Sequence, residues 1–567
     1  MLPDQSISIN LKKNMKLKII VFLVLFSGLQ AGYTQVGTDP ELNTNEIKNI
    51  SSLCKIWGFL KYYHPNVAKG SYNWDEQLLA VLPKVRKAKD KDELSEIYLG
   101  WIESLGTIKV CNSCSNNGKK EYFDKNINLS WLENQDLFSD SLIKKLKYIE
   151  NNRFQGENYY VTTKKGGNVE LRNETIHDNF EYPDQNYRLL SLFRYWNVVE
   201  YFYPYKYQTD ENWNEVLKNM IPKFLHSKNK TEYHLAMLEV VVKLDDSHAT
   251  LYTDPIDDFF GRKFTPAYFN MVEDKLTVTG FYNDSLARLN DIKIGDVIEK
   301  AEGVDVKKII AGSKKYNRGS NNNVKASHNG FFVLSGATDS IKLTIKRENK
   351  EIFKNFGRFD MKYLRKQFFK SKEKYKVLDD NIAYVDMSFL EMKDVDKMMS
   401  DLKSTKAIIF DYREYMNFTP YMIARRLIQS KKEFAKFIKP DLSYPGRFTW
   451  EQSETISPLK NQYYTGRVVV LVNENTQSAS EYATMLLQTG DNVTTIGSQT
   501  SGADGNVSYN EFLGYKSVIT GIGVFYPNRT QTQRVGVKID LVVRPSIKGI
   551  QEGRDEILEK ALEFVKK

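Results

Sequence analysis

VVVLV-NENTQ-SASE, running from Val468 to Glu481, sets five apolar residues against a polar turn and then a serine-rich helix start. An unbroken apolar run of this length reads as a strand buried on both faces, as in a parallel sheet. Beyond it, residues 480–488 carry Tyr482, Met485 and Leu486 at helical spacing, so the stretch predicts strand, turn and helix. A serine at such a turn lies where the first backbone N–H groups of the helix lack partners, and an oxyanion forming there is stabilised by amides and the helix dipole. The same residues read equally well as a plain cap, with Ser478 or Ser480 closing the helix and Glu481 in its first turn. Working outward, residues 381–387 (NIAYVDM) and 407–410 (AIIF) predict further strands, 395–402 a helix and 553–561 an amphipathic terminal helix. The C-terminal third is therefore an α/β core, preceded by a basic linker around residues 362–376.

Upstream, the pattern changes to short strands. KLTVTGF (275–281), Ser285-Leu-Ala287, residues 294–298, residues 303–306 and IKLTIK (341–346) predict a β module with turns at Gly295-Asp296 and Gly303. Further upstream the chain repeats itself. Trp57, Pro65, Trp74, Pro83 and Leu105 recur as Trp196, Pro204, Trp213, Pro222 and Leu244, each pair 139 residues apart. One constant offset predicts one duplicated unit, helical in both copies because Ile56, Phe59, Leu60 and Tyr63, and then Tyr195, Val198, Val199 and Phe202, follow helical spacing up to a proline. The copies end differently: Leu105-Gly-Thr-Ile-Lys109 in the first, Leu244-Asp-Asp-Ser-His248 in the second. Only the second carries a titratable imidazole beside a hydroxyl, which fits either general-base chemistry or ordinary polar contacts at a helix end. Tyr62, Tyr63, Trp74, Tyr201, Tyr203 and Trp213 suit a packed core better than a carbohydrate platform, since helical spacing alone accounts for them.

With 567 residues, 41% of them hydrophobic and 13% aromatic, the chain has material for several cores, which excludes a disordered chain or a single small module. The net charge of +10 is spread along the length, so no nucleic-acid partner is expected. Three cysteines are too few for a disulfide scaffold or a four-ligand zinc site, and Cys111-Asn-Ser-Cys114 reads as a local disulfide or a pair of inert thiols rather than a redox pair. Met15-Lys-Leu-Lys18, the apolar IIVFLVLF (19–26) and the small residues Ser27, Gly28 and Ala31 read as a secretory signal over residues 1–35. An exported protein, periplasmic or extracellular and without stable membrane insertion, is the expectation.

The strand before Ser478-Ala-Ser-Glu481, together with Gly497-Ser-Gln-Thr500-Ser-Gly502, Gly536-Val537, Asp540 and the 553–561 ending, resembles the tail-specific, or C-terminal-processing, serine peptidases. The β module resembles a PDZ domain. The resemblance implies a multidomain α/β protein with a ClpP/crotonase-like peptidase core (377–567) and a PDZ-like module (263–350), which follow the duplicated N-terminal helical domain that the repeat predicts, with copies at 40–145 and 146–262. It implies a serine endopeptidase acting on polypeptides, with C-terminal tails among the candidate substrates and no cofactor or metal. Ser478 takes the nucleophile's position. The Lys-using branch places its base 25 residues later, where this chain has Ala503. The tricorn-like branch draws its base from an Asp-Ser-His motif, present here as Asp246-Ser247-His248. In that branch a carboxylate near the Gly-Val turn joins the serine, and at its position stands Gln533, whose amide can accept from Ser247 but carries no charge. The oxyanion hole is expected from the Ala479 amide and from Glu414 in the turn after Asp411-Tyr-Arg413, where the family's glycines are missing. The alternative reading is a catalytically impaired scaffold that binds peptides through the PDZ-like groove.

Overall fold

The apolar run at 468–472 forms the strand Arg467–Val472 at the centre of a six-stranded sheet. The order across that sheet is Tyr375–Leu378, Ile382–Asp386, Ala407–Asp411, Arg467–Val472, Val493–Gly497 and Leu541–Val542; the first pairing is antiparallel and the other four are parallel. Alternate residues serve opposite layers. Val468, Val470 and Val472 pack with Phe410, Met485 and Leu486, while Val469 and Leu471 pack with Ile409, Ile496 and the terminal helix residues Ile557 and Ala561. Both faces are covered, which is why this strand shows no polar alternation. The computed structural model describes residues 42–114, 120–177, 180–348, 350–364, 373–417 and 419–567. The expected signal segment 1–35 and part of the basic linker lie outside them.

The β module is a second, antiparallel sheet in the order Lys350–Gly357, Ser340–Arg347, Val297–Ala301, Lys275–Phe281 and Ala267–Val272, with Val304–Asp305 alongside Val297–Ala301. One expectation is corrected here. Ser285-Leu-Ala287 belongs to the helix Asp284–Leu289, because the Asn283 side chain accepts from the Ser285 and Leu286 amides at 3.1 Å and starts a helix where a strand was expected. The stretch 318–330 carries the short helix Asn322–Ser327 and the start of Asn329–Leu334.

In the helical half, two pairs of tryptophans 17 residues apart are bonded alike. Trp57 Nε1 donates to Trp74 O at 2.9 Å and Trp74 Nε1 returns to Trp57 O at 3.0 Å. Trp196 and Trp213 repeat the exchange at 2.9 and 3.1 Å. Each pair satisfies two buried indole donors with two backbone carbonyls while the rings stack 6.4 Å apart. The long helices Thr44–Tyr63 and Gln185–Phe202 cross where Tyr62 meets its counterpart Tyr201 edge-on at 5.1 Å. Gly58 lies against its own counterpart Asn197, whose Nδ2 donates to Cys54 O and Phe193 O, themselves a counterpart pair. A Cβ on Gly58 would stand 1.7 Å from Asn197 Oδ1, so a side chain there requires Asn197 to shift.

The two halves are stitched by strands. Tyr122–Phe123 pairs with Phe448–Trp450, and Thr250–Leu251, separated from His248 by Ala249 alone, pairs with Tyr515–Thr520 of the hairpin that Val507–Phe512 begins. Phe512 of that hairpin stacks on Tyr195 at 4.3 Å, tying it to the helical half. Residues Asn45–Lys567 form one compact unit. Among the described residues, no helix is long and apolar enough to cross a membrane.

Candidate active site

The strand Arg467–Val472 delivers the chain to Ser478, which precedes the helix Ala479–Leu487. Ser478 has φ 56° and ψ −117°, a conformation that costs a non-glycine residue on the order of 1–3 kcal/mol and persists only where its surroundings impose it. Those surroundings are visible. The buried Glu481 carboxylate accepts from Thr500 Oγ1 at 2.6 Å, Gly502 N at 2.8 Å, Ala503 N at 3.0 Å and Ser478 N at 3.2 Å. Ser478 N also donates to Ala503 O at 3.0 Å. Glu481 thus clamps the loop 500–503 against the serine turn. Burial pushes its pKa up, and its four donors oppose that shift. The helix-capping role foreseen for Glu481 is real, and it extends to a loop 19 to 22 residues further on. Ala479 opens the helix, so its N–H has no intrahelical acceptor and is available to a ligand.

Thr476 Oγ1 donates to Tyr412 O at 2.9 Å, which sets the turn after Ala407–Asp411 beside the serine turn. Glu414 lies in that turn with an exposed side chain. Arg413 grips Asp411 and Asp555, so the Asp-x-Arg element fastens this turn to the terminal helix.

His248 arrives from the helical half. Its ring is buried, Nδ1 lies 2.8 Å from Thr520 Oγ1, and Nε2 is buried without a hydrogen-bond partner. Ser478 and His248 are therefore not directly hydrogen-bonded; the loop 500–503 connects their turns. Ser247 Oγ donates to Ser501 O at 3.3 Å, Ser501 N donates to Thr476 O, and Ser501 Oγ donates to Gln477 Oε1. Burial holds the His248 pKa down, Asp246 raises it and Arg318 adds to the depression. An imidazole so placed is neutral at pH 7.

Ser247 and Gln533 do not meet as expected. The Ser247 hydroxyl accepts from Ser320 N at 2.9 Å and gives its proton to Ser501 O, while Gln533 Nε2 donates to Asp246 Oδ1 at 3.4 Å and Gln533 Oε1 is buried without a partner. Ser247 instead exchanges two bonds with Ser320, its own N–H donating to Ser320 Oγ at 2.8 Å. Thr520 and the Asp246 side chain carry the contacts assigned in advance to Ser247 and Gln533. Asp246 was visible within its motif, but Thr520, 272 residues from His248, has no sequence signal.

Next to the clamp, Asp504 is 3% exposed and its Oδ2 has no partner. Burial and then the neighbouring Glu481 push its carboxyl well above the usual range. Among the described residues, no group of three or more His, Cys, Asp or Glu side chains could hold a metal ion. Cys111 and Cys114 form a disulfide remote in sequence from these residues.

Residues 381–543 match the model of peptidase family S41. Among solved structures, mature CPAF complexed with lactacystin aligns at 13% identity and TM-score 0.52, covering 67% of this chain and 98% of its own. Mature CPAF aligns at 14% identity and TM-score 0.52, over 67% of this chain and 97% of its own. At such identities the likeness is one of fold. No curated protein sequence matches.

Proposed function

We propose that this chain, which belongs to peptidase family S41 and is a serine-type peptidase, cleaves polypeptides through an acyl-enzyme on Ser478 with His248 as general base. The observation that carries this reading is the loop 500–503, which is bonded to the turn of His248 on one side and to the turn of Ser478 on the other. Ser478 Oγ attacks the scissile carbonyl carbon as its proton passes to His248 Nε2. The carbonyl oxygen, now negative, is held by the Ala479 N–H and by an amide of the turn carrying Glu414. The imidazolium returns its proton to the leaving amine, and water releases the acyl group by the same steps. The single unpartnered ring nitrogen of His248 supports its role as proton acceptor, and its lowered pKa keeps it available as a base at neutral pH.

Around this centre, we read the antiparallel module as PDZ-like and the two helical segments as a duplicated pair that carries the histidine to the core. The basic-then-apolar start at residues 15–26 supports export. An active-site serine phosphonate tests the chemistry. Attachment at Ser478, lost in Ser478→Ala and in His248→Ala, is the expected result. Absence of label in a folded protein that binds tail peptides would establish the scaffold reading in its place.

A further inference from the structure

Resting on that reading, we propose that Thr520 and Asp246 are the positioning pair of His248, supplying through one hydroxyl the negative charge that Gln533 cannot. The Asp246 carboxylate accepts four hydrogen bonds. Oδ1 accepts from His248 N at 3.1 Å, Thr520 Oγ1 at 3.0 Å and Gln533 Nε2 at 3.4 Å, and Oδ2 accepts from Thr520 N at 2.8 Å. The Asp246 side chain is fully buried, so these bonds operate with little screening.

The directions of these bonds determine the tautomer. Thr520 Oγ1 has a single hydrogen and gives it to Asp246, so toward His248 it offers only a lone pair. His248 therefore carries its proton on Nδ1, which leaves Nε2 as a bare lone pair, the atom a base needs. When Nε2 takes the Ser478 proton, the imidazolium lies with Nδ1 3.9 Å from Asp246 Oδ1. No proton leaves Thr520 or Asp246 in this step; the hydroxyl holds the ring and the carboxylate balances its charge. Gln533 acts one position further out, holding Asp246. A glutamate there would face a carboxylate across 3.4 Å and oppose it. The charged groups facing the ring are Asp246 from its own turn and Arg318 from the segment before Asn322–Ser327, whose guanidinium donates to Ser247 O and Ala249 O.

The test uses the full-length protein, with phosphonate acylation rates followed against pH and the imidazole nitrogen NMR signals of His248 followed in parallel. Thr520→Val is expected to slow acylation roughly 100-fold, at the lower end of acid–base contributions, and to lower the acidic-limb pKa. Thr520→Ser is expected to recover both. Gln533→Glu is expected to slow acylation; acceleration would identify the amide as the weak link and overturn the assignment. In the inert Ser478→Ala background, the NMR signal is expected to report an Nδ1-protonated ring that becomes a tautomer mixture when Thr520→Val is added. An unchanged tautomer there overturns the positioning pair whether or not the protein acylates, whereas loss of Ser478 labelling with the tautomer intact sinks only the peptidase reading.

Discussion

The two helical segments share a frame and differ at one end. Both lock a pair of tryptophans by reciprocal indole-to-carbonyl bonds, and their long helices meet counterpart to counterpart at Tyr62 with Tyr201 and Gly58 with Asn197. In the first, the chain leaves the helix at Leu105 toward Lys109, which is exposed. In the second, it leaves at Leu244 and plunges into the core, where Thr250–Leu251 joins the hairpin strand Tyr515–Thr520 and His248 reaches Thr520. Two segments locked in the same way thus end differently, one at the exposed Lys109 and the other at the buried His248. What differs is the exit of the last helix, which the tryptophan packing common to both segments leaves unconstrained.

The contrast can be broken most strongly at its ends. His248→Ala is expected to lower peptide hydrolysis by at least about 1,000-fold, while Lys109→Ala, at the counterpart position, leaves it unchanged; steady-state kcat/KM on a peptide library measures both. A Lys109 variant as impaired as the His248 one would erase the distinction. Next comes the crossing point. Gly58→Ala drives a Cβ into Asn197 and is expected to cost about 1–3 kcal/mol as overpacking. The exchanged pair Gly58→Asn with Asn197→Gly is expected to recover most of that loss in urea denaturation, because the two positions face each other; no recovery would mean that the crossing is not equivalent from its two sides.

A smaller effect concerns His64, whose counterpart is Tyr203. It is fully buried with Nε2 unpartnered, and burial, with Lys145 adding to it, pushes its pKa down to about 4. The unfolded chain then binds the proton more readily than the native one, so stability is complete above the usual histidine pKa and is lost as pH falls through it toward 4. Between pH 7 and pH 5 this one ring accounts for a loss of about 2 kcal/mol. His64→Gln is expected to remove that part of the decline in the urea midpoint. An unchanged slope would show that the ring protonates in the native state as easily as in the unfolded one.

Much of this was legible before any coordinates. The run at 468–472 announced a strand buried on both faces because alternate residues feed two apolar layers, and the helical spacing at 56–63 and 195–202 announced the helices Thr44–Tyr63 and Gln185–Phe202 because a buried helix face recurs with the helical period. Ser285–Ala287 misled because the Asn283 cap outweighed strand patterning. The position of Gln533 was readable, but its partner was not.

Sequence alone determined the strand, turn and helix around Ser478, the repeated tryptophan frame and the arrival of one histidine at its end. Only the folded chain decided which atoms that histidine would touch. Periodicity records burial, which is a property of each residue's own neighbourhood. A hydrogen bond between positions 248 and 520 depends instead on two short strands choosing each other across nearly half the chain.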